Sequence, residues 1–410
     1  MTASDALRGL SRRDLLRLTG RHGLTSVLLG AATLTGAATL ADVARAAETT
    51  RARRLSGPAR HRLRLGASGF NAASLLIERA GTLTFIQDLE SRTDGAIRVE
   101  FIGDNEVCSQ ETCVEKTQSG VIDMFTASTQ NSARVAPYLN VLDYPYVFPG
   151  RASQYHFLYS PVSQAVLRDP LERRHGLKFL FSHCELRGLQ MGASFADRPT
   201  VTRLEEVLGT RNRVTDTQLG RIAMQLLDLG PVPMRWDETQ DALRKGQIDG
   251  AETWASAMAY SGMAPLVSQS VDLRFLCGTE HTAMLASRFD ALEGELQDAV
   301  MESAYLAQVH VQAANEAALV KTVGYSDPPL PDTILAREGV RTAFLPPDQI
   351  RIAEEMCAPE FNPAPWMEWR ARLEDWANGV DTYATIHRVA REVAADMKPE
   401  NVPPRRWWKS

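Results

Sequence analysis

Arg213 lies in a segment whose residue types suit the capture of a small carboxylate. It occupies a short strand-like stretch, Asn212-Arg213-Val214, and Trp236 and Trp254 follow in the same region. The planar guanidinium of an arginine can donate two parallel hydrogen bonds to one carboxylate. Aromatic walls exclude water from such a pair and so strengthen it. The segment therefore predicts a pocket that binds a small carboxylate.

The elements around Arg213 alternate between short strands and helices. A helical run is followed by a proline-rich connection, Pro231-Val-Pro-Met-Arg-Trp236. Asp237 is the expected N-cap of the next helix, and Gly246 is its expected stop. Residues 248–252 then form another strand. Ligands of open α/β sheets bind at such strand ends, which is where this pattern places Arg213.

The N-terminal half has a similar alternation. We expect strands at 63–67, 97–101 and 121–126, with helices from about 72 to 90 and from about 109 to 120. Ser119-Gly120-Val-Ile-Asp123 and Lys245-Gly246-Gln-Ile-Asp249 both read as the end of a helix, a glycine stop and the start of a strand. This short repetition, together with helices between strands, favours two similar α/β lobes with parallel strands.

Several motifs in this order resemble one family. They are Val207-Leu-Gly-Thr-Arg-Asn-Arg213-Val, Pro231-Val-Pro-Met-Arg-Trp236, Gly246-Gln-Ile-Asp-Gly-Ala-Glu252, Asp143-Tyr-Pro-Tyr-Val-Phe148, His175-Gly-Leu-Lys-Phe-Leu, Glu280-His281 and Ser287-Arg-Phe-Asp-Ala-Leu. The chain resembles, over roughly residues 62–390, the DctP-type solute-binding proteins of tripartite ATP-independent periplasmic (TRAP) transporters. Each motif is weak alone, and the order makes the match strong.

The resemblance implies a two-lobed periplasmic-binding-protein-like α/β fold. Each lobe is expected to be a mixed sheet flanked by helices, with a ligand cleft between the lobes and a long interlobe helix. The chain would cross between lobes near Cys184-Glu185, near Cys277 and near Ala318. The implied boundaries are 60–184 plus 277–318 for lobe I and 185–276 plus 319–400 for lobe II. The tail with Trp366, Trp369 and Trp376 would pack on lobe II.

The resemblance also assigns roles in the cleft. Arg213 would clamp the ligand carboxylate and Arg187 would support it, unless Arg187 forms a hinge salt bridge with Glu185 or Glu252. Trp236 and Trp254 would wall the apolar side, with core packing as the alternative for Trp236. Thr253 precedes Trp254 where the family often has Asn or Trp, and this departure leaves the polar half of the ligand open.

Further candidates follow the predicted N-terminal strands. They are Ser68, Phe70 and Asn71 after the first strand, Thr126, Ser128 and Thr129 after the third, and His281 on the return strand. Their alternatives are loop capping for the first two groups and a bond within the return strand for His281. Thr126-Ala-Ser-Thr129 lacks an acidic residue found in some sialic-acid-binding relatives, which argues against a ligand with a sugar-like amide and many hydroxyls.

The first 46 residues are typical of a twin-arginine signal peptide. Ser11-Arg12-Arg13 precedes an uncharged stretch from Gly23 to Ala41, and Ala44-Arg45-Ala46 matches a cleavage site, with a membrane anchor as the alternative. The whole chain has a formal net charge of −5 and this leader one of +3, so the net charge of the remainder is −8. An acidic protein without a basic run is not suited to nucleic acid.

Export to an oxidising compartment favours a disulfide among the five cysteines. If Ser109 caps a helix, Cys108 and Cys113 occupy the two positions that pack together at a helix start, and a disulfide between them is expected. Cys184 and Cys277 are either a second bridge or buried free thiols, and Cys357 would be unpaired. No His, Cys or Asp cluster has metal-ligand spacing, so we expect neither a metal nor a cofactor, although some relatives bind a cation with a 2-oxo acid.

We therefore expect a periplasmic receptor that captures a small organic anion and delivers it to TRAP permease subunits. An ABC-type or sensory receptor of the same fold is one alternative, and a redox enzyme exported by the twin-arginine route is another. The identity of the carboxylate and the choice between monomer and dimer stay open.

Overall fold

The computed structural model describes residues 49, 51–52, 55–70, 77–394 and 396–409, and within them nine strands form one mixed sheet. The strands are β1 (His61–Ala67), β2 (Ile97–Ile102), β3 (Met124–Ser128), β4 (Leu177–Met191), β5 (Asn212–Val214), β6 (Pro231–Pro233), β7 (Gly250–Thr253), β8 (Gln269–Leu285) and β9 (Arg341–Phe344). Their order is β2-β1-β3-β8-β4-β7-β5-β6, and β9 also pairs with β8.

Fifteen α-helices of the described residues flank this sheet. They are α1 (Ile77–Arg92), α2 (Cys113–Gln118), α3 (Thr129–Ser132), α4 (Arg151–Tyr159), α5 (Pro161–Ser163), α6 (Asp169–His175), α7 (Gln218–Leu226), α8 (Trp236–Arg244), α9 (Ala255–Tyr260), α10 (Ala286–Asp290), α11 (Gly294–Ala318), α12 (Ile334–Arg337), α13 (Pro347–Cys357), α14 (Met367–Trp376) and α15 (Thr382–Ala390). The longest, α11, has 25 residues.

The two long strands β4 and β8 join the halves of the sheet. They run antiparallel, and the register pairs Cys184 with Thr279 and Leu186 with Cys277. The part of β8 near its C-terminal end pairs with β3, whereas the last residues of β4 pair with β7. We call β1, β2 and β3 with their adjoining parts of β4 and β8 the first half, and β5, β6, β7 and β9 with theirs the second half. The predicted lobe boundaries stay a prediction.

Close packing fixes helix α11 against the first half. Gly81 of α1 faces Val311 of α11 and Phe181 of β4, and a Cβ atom at Gly81 would lie about 3.0–3.2 Å from both side chains. The glycine lets the helices approach more closely than a larger side chain would allow. A continuous cluster of buried apolar side chains extends from this contact through both halves of the sheet.

The edge of the second half explains one difference from the sequence-based elements. Pro231–Pro233, predicted as a connection, forms strand β6, which pairs in parallel with β5 only. Proline has no backbone N–H, so it is tolerated on an edge strand, where one side makes no ladder hydrogen bonds. The third strand also starts later than expected, at Met124 instead of Val121.

Two predicted helix starts are wrong. Helix α2 begins at Cys113 with Thr112 as its N-cap, because Ser109 donates its backbone N–H to Thr112 Oγ1 in a preceding turn. Helix α8 has Arg235, not Asp237, as its N-cap. Asp237 lies in the first turn instead, where a negative charge interacts favourably with the helix dipole. Gly246 has a φ of +63° after the end of α8, as expected of a glycine stop.

The cysteines are divided between one bridge and three thiols. Cys108 and Cys113 form a disulfide, although they do not occupy the capping positions that suggested it. Cys184, Cys277 and Cys357 are free and buried. Burial raises the pKa of all three thiols, so none of them is a ready nucleophile.

The C-terminal tryptophans pack close to residues 138–175. Trp376 contacts the rings of Tyr138 and His175, and Trp366 contacts Tyr144. These partners belong to the segment that the predicted boundaries place in lobe I. Trp366 is fully buried and donates its Nε1–H to Cys357 O, so it is part of the core.

The predicted signal peptide, residues 1–46, lies outside the described residues. Among the helices that the structure describes, none is both long and apolar enough to cross a bilayer.

Candidate ligand-binding site

A cavity of about 150 Å³ lies between the two halves of the sheet. Its lining combines charged, amide, hydroxyl and aromatic side chains from both halves. The lining residues are Ser68, Gly69, Phe70, Asn105, Gln110, Ser128, Asn131, Arg187, Arg213, Thr215, Trp236, Thr253, Trp254, Ala257, Tyr260, Ser261 and Glu280. A concave, partly apolar space with a few converging polar groups is typical of a small-molecule site.

Arg213 is a buried cation with an unused donor. Strand β5 lies between β6 and β7, and it holds the Arg213 side chain at 1% exposure. Its Nε donates to Met234 O at 3.1 Å, while Nη2 is buried without a hydrogen-bond partner among the described residues. The guanidinium lies 5.1 Å from the ring centroid of Trp236. Burial, together with the nearby charge of Arg187, lowers the pKa of Arg213 to about 10.

Such an arrangement favours an anionic ligand. A buried charged group without its hydrogen bonds is costly, and an opposite charge removes that cost. At neutral pH Arg213 remains protonated, because its lowered pKa is still well above 7. Arg213 lines the cavity, so the site carries a positive charge and one guanidinium donor that no described residue accepts.

Arg187 is committed to Glu252. Its Nε donates to Glu252 Oε1, and its Nη2 donates to Glu252 Oε2 at 2.9 Å and to Glu252 O at 3.2 Å. The side chains are 3% and 0% exposed, respectively. This is the salt bridge that was the alternative interpretation of Arg187. Arg187 still lines the cavity, but most of its charge is balanced by Glu252.

Trp254 forms a wall whose position depends on Gly278. Its ring lies 5.3 Å from the Arg187 guanidinium and 5.2 Å from the ring of His183. A Cβ atom at Gly278 would lie 1.6 Å from Trp254 Nε1 and 2.3 Å from Glu185 O. A residue with a Cβ atom therefore does not fit at this position of β8 unless the indole moves.

Replacing Gly278 with Ala is therefore expected to displace Trp254 and weaken ligand binding at least about tenfold, with a destabilisation of about 1–3 kcal/mol from overpacking. Titration calorimetry with a bound acid measures the first effect, and urea unfolding the second. Gly294→Ala is the matched control, because a Cβ there meets no atom within 4 Å. If Gly278→Ala binds the acid with an affinity within about twofold of the wild type, the position of Trp254 does not depend on a glycine at 278.

The side of the cavity formed by the first half is polar. Ser68 Oγ donates to Asn105 Oδ1 at 2.8 Å, and Gly69 N donates to the same oxygen at 3.1 Å. Ser128 Oγ is buried without a hydrogen-bond partner among the described residues. Its backbone N–H donates to Gln110 Oε1 at 2.8 Å. This side therefore offers hydroxyl and amide groups to a ligand.

A hydrogen-bond cluster adjoins the cavity at Thr215. Thr215 Oγ1 donates to Gln130 Oε1 at 3.1 Å, and Gln130 Nε2 donates to Asp143 Oδ1 at 3.3 Å. Thr217 Oγ1 donates to Asp143 Oδ2 at 2.9 Å. Burial raises the pKa of Asp143 to about 7 despite these donors. Thr215 also lines the cavity, so the cluster links one lining residue to the buried carboxyl group of Asp143.

The structure brings most of the predicted site residues together. Arg213, Arg187, Trp236, Trp254, Thr253, Ser68, Phe70 and Ser128 all line the cavity. Asn71 lies outside the described residues. Whether these side chains contact a ligand stays a prediction.

Three predicted site residues do not line the cavity. Thr126 lies within β3, where its hydroxyl contacts those of Thr82 and Thr282. Thr129 begins helix α3 and is 1% exposed. His281 contacts the rings of Phe125 and Phe179, and its Nδ1 is 2.7 Å from Ala127 O. This contact is with the neighbouring strand β3, whereas the alternative had been a bond within the return strand itself. The third strand was predicted to end at residue 126, but β3 continues to Ser128. Thr126 therefore lies inside the strand and is buried, instead of lying at the end of the strand.

Several lining residues were not predicted. They are Gly69, Asn105, Gln110, Asn131, Thr215, Ala257, Tyr260, Ser261 and Glu280. Glu280 lies next to the predicted candidate His281, and because neighbouring strand residues face opposite sides, only one of the two could line the cavity. Asn105 and Gln110 lie in an irregular segment after β2, for which no periodic pattern exists.

No group of three or more His, Cys, Asp or Glu side chains in the described part of the chain could hold a metal ion. The charged side chains that line the cavity are Arg187, Arg213 and Glu280, and Arg187 pairs with Glu252.

The family model for DctP, bacterial extracellular solute-binding protein family 7, matches residues 69–322. The chain belongs to this family. The family match confirms the resemblance that the motifs indicated. It also confirms the prediction of a solute-binding receptor over the alternative of a redox enzyme.

Curated relatives support this membership at low identity. An uncharacterized protein of Haemophilus influenzae is 26% identical over 250 residues, which cover 58% of this chain and 70% of the relative. The 2,3-diketo-L-gulonate-binding periplasmic protein YiaO of Escherichia coli is 25% identical over 222 residues, or 53% and 64% of the two chains. The C4-dicarboxylate-binding periplasmic protein DctP of Rhodobacter capsulatus is 26% identical over 190 residues, or 43% and 52%. The chain thus spans about half to two thirds of the latter two relatives.

Solved structures confirm the α/β fold, a mixed sheet flanked by helices with one long helix. A TRAP periplasmic solute-binding protein from Roseobacter denitrificans with bound L-galactonate has a TM-score of 0.63 at 18% identity, over 78% of this chain and 99% of that one. A second from Sulfurospirillum deleyianum, with bound succinate, has a TM-score of 0.62 at 15% identity, over 81% and 100%.

Proposed function

We propose that this receptor captures a small organic carboxylate in the cavity, with the ligand carboxylate bound to Arg213. The observation that carries the proposal is the buried guanidinium of Arg213, whose Nη2 has no hydrogen-bond partner among the described residues. A carboxylate in the cavity would accept from this donor and neutralise the charge. Trp236, Trp254 and Phe70 would cover the apolar surface of the ligand.

The balance of charge supports a single anchoring cation. Glu252 already pairs with Arg187, so Arg213 is the cavity arginine with a donor to offer. Arg187 would orient the site and reinforce the positive potential without replacing Arg213. One relative is named as C4-dicarboxylate-binding, and two similar structures contain bound succinate or L-galactonate. These small organic acids support a carboxylate as the ligand.

A panel of matched acids and alcohols tests this proposal. Galactonate and erythronate are compared with galactitol and erythritol by thermal shift, after the wild-type protein has been unfolded and refolded to remove ligand. An acid at about 100 times its Kd is expected to stabilise the protein by about 2.7 kcal/mol, whereas its alcohol is not. If the acids of the panel leave the melting temperature unchanged while a neutral compound raises it, the proposal fails.

We further propose that the receptor acts in the periplasm and passes its ligand to TRAP permease subunits. Arg12-Arg13 would direct export by the twin-arginine route, with cleavage after Ala46. Replacing both arginines with lysine is expected to block export, as measured by cell fractionation. Full processing of that variant in the periplasm would contradict this route.

A further inference from the structure

The disulfide between Cys108 and Cys113 lies beside the ligand-binding cavity. It encloses residues 109–112, and one of these, Gln110, lines the cavity. Residues 103–112 belong to no helix or strand, so no regular backbone ladder fixes their position. The segment therefore depends on individual contacts to hold Gln110 in the wall of the cavity.

Gln110 connects three other residues that line the cavity. Its Oε1 accepts from Ser128 N at 2.8 Å and from Asn131 Nδ2 at 3.4 Å, and its Nε2 donates to Glu280 Oε1 at 3.2 Å. A backbone N–H can only donate, so the contact with Ser128 fixes which end of the amide is the oxygen. A displacement of Gln110 would therefore break contacts with strands β3 and β8 and with helix α3 at the same time.

The disulfide attaches this segment to the sheet. Cys108 and Cys113 are 4% and 0% exposed, and a Cβ atom at Gly66 of β1 would lie 3.0 Å from Cys108 Sγ. The bridge therefore packs directly on β1, at a position that a larger side chain would crowd. Hydrogen bonds inside the turn, from Ser109 N to Thr112 Oγ1 and from Cys113 N to Ser109 O, shape the turn without attaching it to a strand.

The short ring of this disulfide points to a local role. The two cysteines are five positions apart in sequence. The entropy that a disulfide removes from the unfolded chain grows with the length of the ring, so this bridge stabilises the fold less than one that closes a long ring. Its main effect is on the geometry of the residues it encloses, among which is Gln110.

We propose that the Cys108–Cys113 disulfide is a positioning element of the ligand site, which holds Gln110 and its three cavity-lining partners in the arrangement that receives the ligand. The proposal rests on the proposed carboxylate receptor. Without the bridge these side chains have to be ordered when the ligand binds, and that ordering lowers the affinity. The receptor therefore reaches its full affinity only when the bridge has formed.

A double-mutant cycle tests whether the bridge acts through Gln110. Titration calorimetry with D-erythronate and L-galactonate compares the variant Cys108→Ala/Cys113→Ala, the variant Gln110→Ala and their combination. Each of the first two is expected to bind about tenfold more weakly than the wild type. The combination is also expected to lose only about tenfold, because both changes disrupt the same arrangement. Losses that multiply to about a hundredfold would show that the bridge and Gln110 act independently, and would overturn the proposal.

Further results separate positioning from general stability. Cys357→Ala removes a buried cysteine that does not line the cavity, and it should change the affinity less than about twofold. A folded Cys108→Ala/Cys113→Ala protein that binds within about twofold of the wild type would overturn the proposal. Should that variant not fold, Gln110→Ala decides, because an unchanged affinity there would remove the residue through which the bridge acts.

Failure of this inference is distinguishable from failure of the proposed function. If the acids lose affinity in Arg213→Met but bind to the variant without the bridge as they do to the wild type, the carboxylate receptor stands and the role of the disulfide falls. If neither acid binds to the wild-type protein, or if binding is indifferent to Arg213→Met, the proposed function itself fails.

Discussion

Replacing Arg213 with Met is expected to lower the affinity for a small carboxylate about 100- to 4,000-fold. The variant leaves the ligand carboxylate in a buried site without its cationic partner, and removing one member of a buried pair costs about 3–5 kcal/mol. Methionine is flexible and apolar, so it can fill much of the space of the arginine stem. Titration calorimetry with the acid identified by the panel measures the loss.

Two comparisons separate lost binding from lost folding. In the ligand-free protein Arg213→Met is expected to be no less stable than the wild type, because the buried, unpartnered Nη2 is removed with its desolvation cost. Arg211→Met is the matched control two residues earlier, where the arginine is 53% exposed and pairs with Asp249 outside the cavity. It should change the affinity less than about twofold. Retained affinity in Arg213→Met would remove the basis of the proposed function.

Replacing Glu252 with Gln is expected to destabilise the ligand-free protein by about 3–5 kcal/mol. The substitution keeps the size of the side chain but leaves the buried charge of Arg187 without its counter-charge. Urea unfolding followed by tryptophan fluorescence measures the change. Trp254 is a built-in reporter, because its ring contacts the Arg187 guanidinium.

A second substitution shows whether the stranded charge causes the loss. Arg187→Met combined with Glu252→Gln is expected to be more stable than Glu252→Gln alone, because no unpaired buried charge remains. Glu205→Gln is the exposed control, in a pair with Arg203 whose members are 62% and 61% exposed, and should cost less than about 1 kcal/mol. A loss below about 1 kcal/mol for Glu252→Gln would mean that the pair does not hold the site together.

The sequence predicts the parts of the site that lie on regular elements. The strand Asn212–Val214 has the predicted bounds, and Arg213 and Trp254 line the cavity from elements that the pattern of strands and glycine stops indicates. The glycine at 246 likewise ends its helix where expected. In these places local preference and tertiary structure agree, so a short pattern carries enough information.

The rest depends on distant contacts that local patterns do not encode. Whether Arg187 faces a ligand or Glu252 is decided by the pairing of β4 with β7, residues 65 positions apart in sequence. Ser128 and Glu280 meet across the sheet through the register of β3 and β8. The start of β3 was predicted three residues too early. For this reason Thr126, which lies inside the strand, was included among the predicted site residues.

The most direct measurement is a crystal structure of the wild-type protein with the acid that stabilises it most. We expect a ligand carboxylate oxygen at about 2.7–2.9 Å from Arg213 Nη2, with Trp236 and Trp254 against the ligand. A carboxylate bound elsewhere in the cleft, with Arg213 Nη2 still without a partner, would contradict it.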